Sequence, residues 1–243
     1  MQAFPTVGRR YSYTHTVLLS DATSDGRMRF DAVARVLHDA ATKDNQDSPT
    51  ADKGSWILRW IALEIKALPR YLDALTVATA CSATGHAWAT RRTTLTTGNS
   101  VLIDAEALWI NVHPTSGRPL RLSGEFLSIF GPSAEGRTVR PHLTLRVPKE
   151  PALAQLSLPL RYCDLDIMKH VNNAIHLALI EEVLHTQEVH NPALVTDLRI
   201  EFGPALVQSG GALAHLWTTQ HSDHVTLSQN NVVCSQTLLN YRK

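Results

Sequence analysis

Asp164, Asp166, His170, Asn172 and Asn173 crowd into one short part of RYCDLDIMKHVNNAIHLALIEEVL, residues 161–184. A carboxylate and an imidazole of near-neutral pKa are groups that activate water. The amides that open a helix are unpaired donors aimed one way, able to receive the charge that grows on a carbonyl oxygen. Asp166 can reach a water or a carbonyl carbon from the loop, and His170 can hold that water or move its proton. Asn172 and Asn173 suit helix capping as well as carbonyl binding, and His170 suits bracing the loop as well as catalysis. Asp164 is read as fixing the loop through backbone hydrogen bonds. The chemistry this set fits is hydrolysis of an acyl group, with the apolar residues that follow lining a dry channel.

The elements that must position these groups occur twice. LEIKALPRYLD (63–73) aligns without a gap on IEFGPALVQSG (200–210), at an offset of 137 (200 minus 63). EALWINV (106–112) has a counterpart in QTLLNYR (236–242), where the offset falls to 130 (236 minus 106). Self-similarity at this spacing marks two like units. In the first, FDAVARVLHDAA (30–41) has Phe30, Val33, Ala34, Leu37, Ala40 and Ala41 at helical spacing. In the second, Ala174 to Leu184 carries a wider apolar stripe, which predicts burial on several sides. Each helix is followed by β-rich segments such as WILRWIALEI, WATRRTTL and VTLSQNNVV. The fold class is therefore α+β, a tandem pair in which an antiparallel sheet wraps a long helix. The units are placed at 1–129 and 156–243, with 130–155 as a Pro- and Gly-rich linker in which LTLRV could add an edge strand.

Composition excludes several functions. A net charge of +1, with 23 Lys and Arg against 22 Asp and Glu, gives no field to hold nucleic acid. Cys81, Cys163 and Cys234 form no metal-ligand spacing, so neither a metal nor a cofactor is expected. The N-terminus shows no secretion signal and no apolar run reaches a membrane span, so a cytoplasmic protein is expected. Cys163 stands beside the motif without a base placed to activate it, and is set aside as a nucleophile. Glu182 is read as structural, at the surface or between the units.

The pattern DLDxxxHVNN with Glu182 and the Ile200–Glu201–Phe202 strand, preceded by a unit that lacks it, resembles the acyl-acyl carrier protein thioesterases, which are double hotdog proteins. WATRRT (88–93), EALWI (106–110) and TSGRPLRL (115–122) are similar to the bacterial branch. The resemblance implies a hydrolase releasing fatty acid from an acyl thioester of acyl carrier protein. It also implies that the second unit does the chemistry. The first unit would then shape the acyl pocket through Phe30, Val33, Leu37 and Trp56, with Glu201 as a further lining candidate. Two departures stand out: the family's Asn position holds Met168, and its strand Glu position holds Ala205. These keep open a degenerate acyl-binding protein beside the acyl-coenzyme A thioesterase alternative. Arg91, Arg92, Arg118, Arg121, Arg137 and Arg140 could converge on an acidic carrier protein or be ordinary solvated charge. The fused pair is compatible with a monomer or a homodimer.

Overall fold

A computed structural model describes residues 4–50 and 54–242. The first unit runs β1 (Tyr11–Thr16), α1 (Phe30–Asp47), β2 (Trp56–Ile65), β3 (Ala74–Thr84), β4 (Trp88–Thr97), β5 (Ser100–Asn111) and α2 (Gly124–Ala134). The second repeats the plan as β6 (Ala154–Leu158), α3 (Asn173–Gln187), β7 (Val195–Phe202), β8 (Ala212–Thr218), β9 (Ser222–Gln229) and β10 (Val232–Tyr241). The ten strands of the described residues form one antiparallel sheet in the order β1-β3-β4-β5-β2-β7-β10-β9-β8-β6. Read outward from the β2–β7 seam, the two halves have the same strand order, as a duplication requires. Where Leu63 is matched to Ile200, the ladders match Ala105 to Thr237. That is two residues from the pairing expected for EALWINV; a shift by two keeps each side chain on its own face.

The sheet closes over α1 and α3, and a single apolar cluster runs through both units. On α3, Ala174, Leu177, Ile180, Val183 and Leu184 are buried at helical spacing, while Ile175, Ala178 and Leu179 are only half-buried. Full burial of a Leu or Ile contributes about 1.5–3 kcal/mol, so this stripe supplies most of the helix's hold on the sheet. At the seam, five residue pairs from Trp60–Glu201 to Glu64–Asp197 join the halves, and the Arg199 guanidinium lies 4.6 Å from the Trp60 ring centre.

The two helices are tied by one side chain. Arg29, at the N-cap of α1, makes no side-chain cap. Instead Glu181, midway along α3, accepts the Phe30 N–H at 2.8 Å and the Arg27 guanidinium at 2.6 Å. A carboxylate at a helix N-terminus meets both an orphan donor and the positive end of the dipole. Burial pushes the Glu181 carboxyl above its usual range, and Arg27 and the Phe30 N–H act against that. With two donors on its two oxygens, the ionised form is the one this geometry serves. Glu182, its neighbour, is exposed.

The segment read as a linker is partly structured. Helix α2 runs across the 129/130 boundary, with Ser123 Oγ accepting Phe126 N–H at 3.0 Å as its cap. Phe126 and Phe130, one turn apart, pack it against Trp56, Cys81 and Ala89. LTLRV forms no strand; it is clamped instead, because the Glu201 carboxylate accepts the Thr144 N–H at 2.9 Å and the Leu145 N–H at 3.0 Å. None of the described helices is long and apolar enough to cross a membrane.

Removing Glu181 leaves the buried Arg27 with the longer 3.8 Å contact to the exposed Asp25, so Glu181→Ala is expected to cost about 3 kcal/mol, read as a lowered urea midpoint. Burial also pushes His38 on α1 and His176 on α3 down to about 4. Both folded values lie below the unfolded one, so the unfolded chain takes up protons first. The stabilisation present above pH 6.5 is therefore lost as pH falls from 6.5 toward 4. The urea midpoint should fall between pH 7.5 and pH 5, and fall less in His176→Gln, which keeps a partner for Ser235.

Candidate active site

The loop before α3 is built by backbone hydrogen bonds. A short turn, Tyr162–Asp164, is closed by Asp164, whose carboxylate accepts the Arg161 N–H at 2.7 Å and pairs with the Arg161 guanidinium at 2.7 Å. Burial pushes the Asp164 carboxyl up, but the Arg161 hydrogen bonds and charge outweigh it and hold it below the usual carboxylate range. Asp166 N–H then donates to His170 O at 2.8 Å, and Lys169, in the left-handed region at φ 62°, turns the chain back. Asp166 Oδ1 accepts the Met168 N–H at 2.8 Å, so the residue at the family's Asn position holds the aspartate through its backbone, not through its side chain.

Asn172 N–H returns to Asp164 O at 2.8 Å, and Asn172 Oδ1 caps α3 by accepting the Ala174 N–H at 2.9 Å. Of the two asparagines, Asn172 is thus the cap. Asn173 is the first residue of the helix, and its N–H meets no acceptor among the described residues. Asp166 is half-buried. His170 is exposed, and its ring makes no hydrogen bond among the described residues. The four expected catalytic residues therefore share one loop and helix start, with Asp166, Asn172 and Asn173 half-buried and His170 exposed.

The same loop exists in the first unit. At an offset of 143 (166 minus 23), SDATSDGRMRF repeats the turn of CDLDIMKHVNN. Leu18 N–H donates to Asp21 as Arg161 N–H does to Asp164. Thr23 N–H reaches Arg27 O as Asp166 N–H reaches His170 O, and Arg29 N–H returns to Asp21 O as Asn172 N–H does to Asp164 O. Gly26 takes the left-handed turn that Lys169 takes. The chemistry is missing: Thr23 stands for Asp166 and Arg27 for His170. The N–H that corresponds to that of Asn173 is Phe30's, and Glu181 already occupies it.

A cavity of about 550 Å³ opens between the second half of α1, strands β3 to β5 and α2. Trp56, Cys81, Arg91, Trp109 and Phe130 line it, and Ile167, next to Asp166, forms its lip. Of the residues expected to bind substrate, only Trp56 is on its wall. Phe30, Val33 and Leu37 are 3 % exposed or less and belong to the core, because they are on the α1 face turned to the sheet and α3. Glu201, 1 % exposed, is the linker clamp; burial pushes its carboxyl up, and donors from Thr144, Arg199 and Leu145 hold it below the usual range. Cys81 is pushed up to about 11 by burial, which leaves its thiol protonated and inert.

Three of the six arginines considered for carrier-protein binding are spent within the fold. Arg91 pairs with Asp44 and Arg92 with Asp104, while Arg137 donates to Ser82 O and Ser133 O, each at 2.8 Å. Arg118, Arg121 and Arg140 remain exposed. Periodicity alone did not reveal Glu181, the cavity wall or α2. The 143-residue spacing from Asp21 to Asp164 was the available signal for the paired loops.

Comparison with known proteins bears on this arrangement. The family model "Acyl-ACP thioesterase N-terminal domain" matches residues 8–130, and "Acyl-ACP thioesterase C-terminal domain" matches 149–238. An uncharacterized protein of Mycobacterium tuberculosis is 24% identical over 181 residues, 74% of this chain and 72% of its own length. Among solved structures, the 12:0-ACP thioesterase from Umbellularia californica superposes with a TM-score of 0.80 at 15% identity, over 98% of this chain and 99% of that one. An acyl-ACP thioesterase from Bacteroides thetaiotaomicron gives 0.77 at 15% identity, over 96% and 98%. These likenesses agree with the double hotdog fold. Two domain models, matched in order and together spanning most of the sequence, establish that the chain belongs to the acyl-ACP thioesterase family.

Proposed function

We propose that the family's reaction, hydrolysis of an acyl-acyl carrier protein thioester to free fatty acid, is carried out in this chain at the start of α3. The observation that carries the assignment is the contrast between two helix starts: Phe30 N–H is filled by Glu181, whereas Asn173 N–H, at the end of the loop that holds Asp166, meets no acceptor among the described residues. In this reading the acyl chain lies in the cavity of the first unit and its carbonyl stops at the Ile167 lip. Asp166 takes a proton from water as the oxygen bonds to the carbonyl carbon, and the Asn173 amide receives the negative charge on the carbonyl oxygen. Collapse breaks the C–S bond, and the departing thiolate recovers the proton. His170, exposed at the rim, is assigned to guiding water or the leaving thiol, and Asn172 to holding the helix start.

The carrier-protein substrate rests on the family, and the rival thiol carrier is coenzyme A. A monomer is favoured because the second unit already packs against the first as a partner would. The free thiols of Cys81, Cys163 and Cys234 suit a reducing cytoplasm.

Asp166→Asn keeps an acceptor for the Met168 N–H, so the loop should hold its shape while the base is lost. Its kcat/KM is expected to fall by about 10²–10⁴-fold, measured as thiol release from acyl carrier protein and coenzyme A thioesters of graded chain length. Wild-type activity on neither carrier would sink the assignment; faster turnover of the coenzyme A series would move it to that carrier. Ala41→Phe, which pushes a ring into the cavity from α1, should shift preference toward shorter acyl chains with little loss on the shortest. An unchanged chain-length profile would place the acyl group elsewhere.

A further inference from the structure

His38 is the ninth residue of α1, as Glu181 is the ninth of α3. The two helices belong to units related by duplication and pack against each other. Glu181 reaches across the pair to the N–H of Phe30, the first residue of the opposite helix. The pseudo-twofold relation then brings His38 to the first residue of α3, which is Asn173. Three observations agree with that placement. The His38 Nε2 is sealed from solvent and has no hydrogen-bond partner, the state of a donor waiting for a ligand. Its ring packs edge-on against Trp109, 5.7 Å between centres, and Trp109 is part of the cavity wall. The charge of Asp166 is felt at the imidazole, so the two share one neighbourhood.

We propose that His38 donates its Nε2–H to the thioester carbonyl oxygen opposite the Asn173 N–H, so that one group from each unit holds the oxyanion. The inference rests on the assignment of hydrolysis to the start of α3. A buried, unpaired polar atom is costly, and such costs persist where the atom has a task. Burial lowers the pKa of His38 to about 4, so the ring is neutral at ordinary pH, and a neutral imidazole can polarise a carbonyl without itself releasing a proton. The neighbours that act on it are Asp39, Asp166 and Arg35. The two pseudo-equivalent positions then have opposite tasks. Glu181 fills one helix start with its own carboxyl group, and His38 leaves the other ready for a transient anion.

The test compares His38→Leu, His38→Gln and His38→Asn with wild type and Asp166→Asn, on the acyl carrier protein thioester that wild type turns over fastest. Glutamine places an amide nitrogen close to where Nε2 stands, and asparagine close to where Nδ1 stands. His38→Leu should lose about 10²–10³-fold in kcat with KM and thermal midpoint nearly unchanged, the loss typical of one oxyanion donor. His38→Gln should recover to within about tenfold of wild type, and His38→Asn should resemble His38→Leu. If His38→Leu fails to fold, the ratio of Gln to Asn activity decides. An active His38→Leu, Asn equal to Gln, or a rate loss that tracks a fall in thermal midpoint would overturn the role of His38 while leaving Asp166 in place. An inactive wild type would instead remove the assignment on which it rests.

Discussion

The Glu181 carboxylate sits where both units need it. Without it, α1 would begin with orphan amides and no side-chain cap, and Arg27 would be a buried cation. With it, the central helices are held by a directional contact in addition to apolar burial, which is strong but does not specify register. The β2–β7 seam supplies the other fixed reference, because its five paired positions set where each helix start stands over the sheet. A carboxylate of the second unit, by fixing α3 on α1, therefore helps decide where that unit's own candidate loop lies against the first unit.

The same contact explains why two loops of one shape behave differently. Backbone bonds shape the segments at 20–30 and 163–173 alike, so the turn itself carries no catalytic identity. The difference comes from three pairs of side chains: Asp166 against Thr23, His170 against Arg27, and, in the proposed arrangement, His38 against Glu181 at the helix starts. Arg27 and Glu181 neutralise each other at the silent start. At the other, the Asn173 amide is unfilled and Ile167, next to Asp166, lies at the cavity edge; in the proposed assignment water activation and charge stabilisation occur there together.

Much of this was legible in the sequence, for identifiable reasons. DLDIMKHVNN carries residue types that suit a loop and a helix start together, so a candidate site could be placed there from the sequence, and the structure does form a loop and a helix start at these residues. The strand plan was readable from the duplicated Glu64 and Glu201 segments. Other features depended on which of two similar residues faces inward. Glu181 and Glu182 are adjacent, and helical phase decides between them; Leu177, Ile180 and Leu184 put Glu181 toward α1 and Glu182 toward water. Phe30, Val33 and Leu37 are apolar at helical spacing, a pattern shared by pocket walls and packed cores. Helix α2 contains Gly131, Pro132 and two serines, so its composition resembles a linker, and only Ser123 with the Phe126–Phe130 pair marks it as a helix.

The filled start of α1 also has a stoichiometric consequence. A symmetric pair of identical units would carry two equivalent reaction centres, one at each end of the central helix pair, and two acyl chains competing for the space around it. Fusing the units let each end change independently. With Glu181 bound at one, the proposed assignment commits the chain to a single acyl group per molecule. The cavity beside α1 can then widen, narrow or acquire a charged wall residue such as Arg91 with no matching demand on the other half. Cavity-wall residues away from His38 and Trp109 can thus drift while the proposed reactive geometry stays constant.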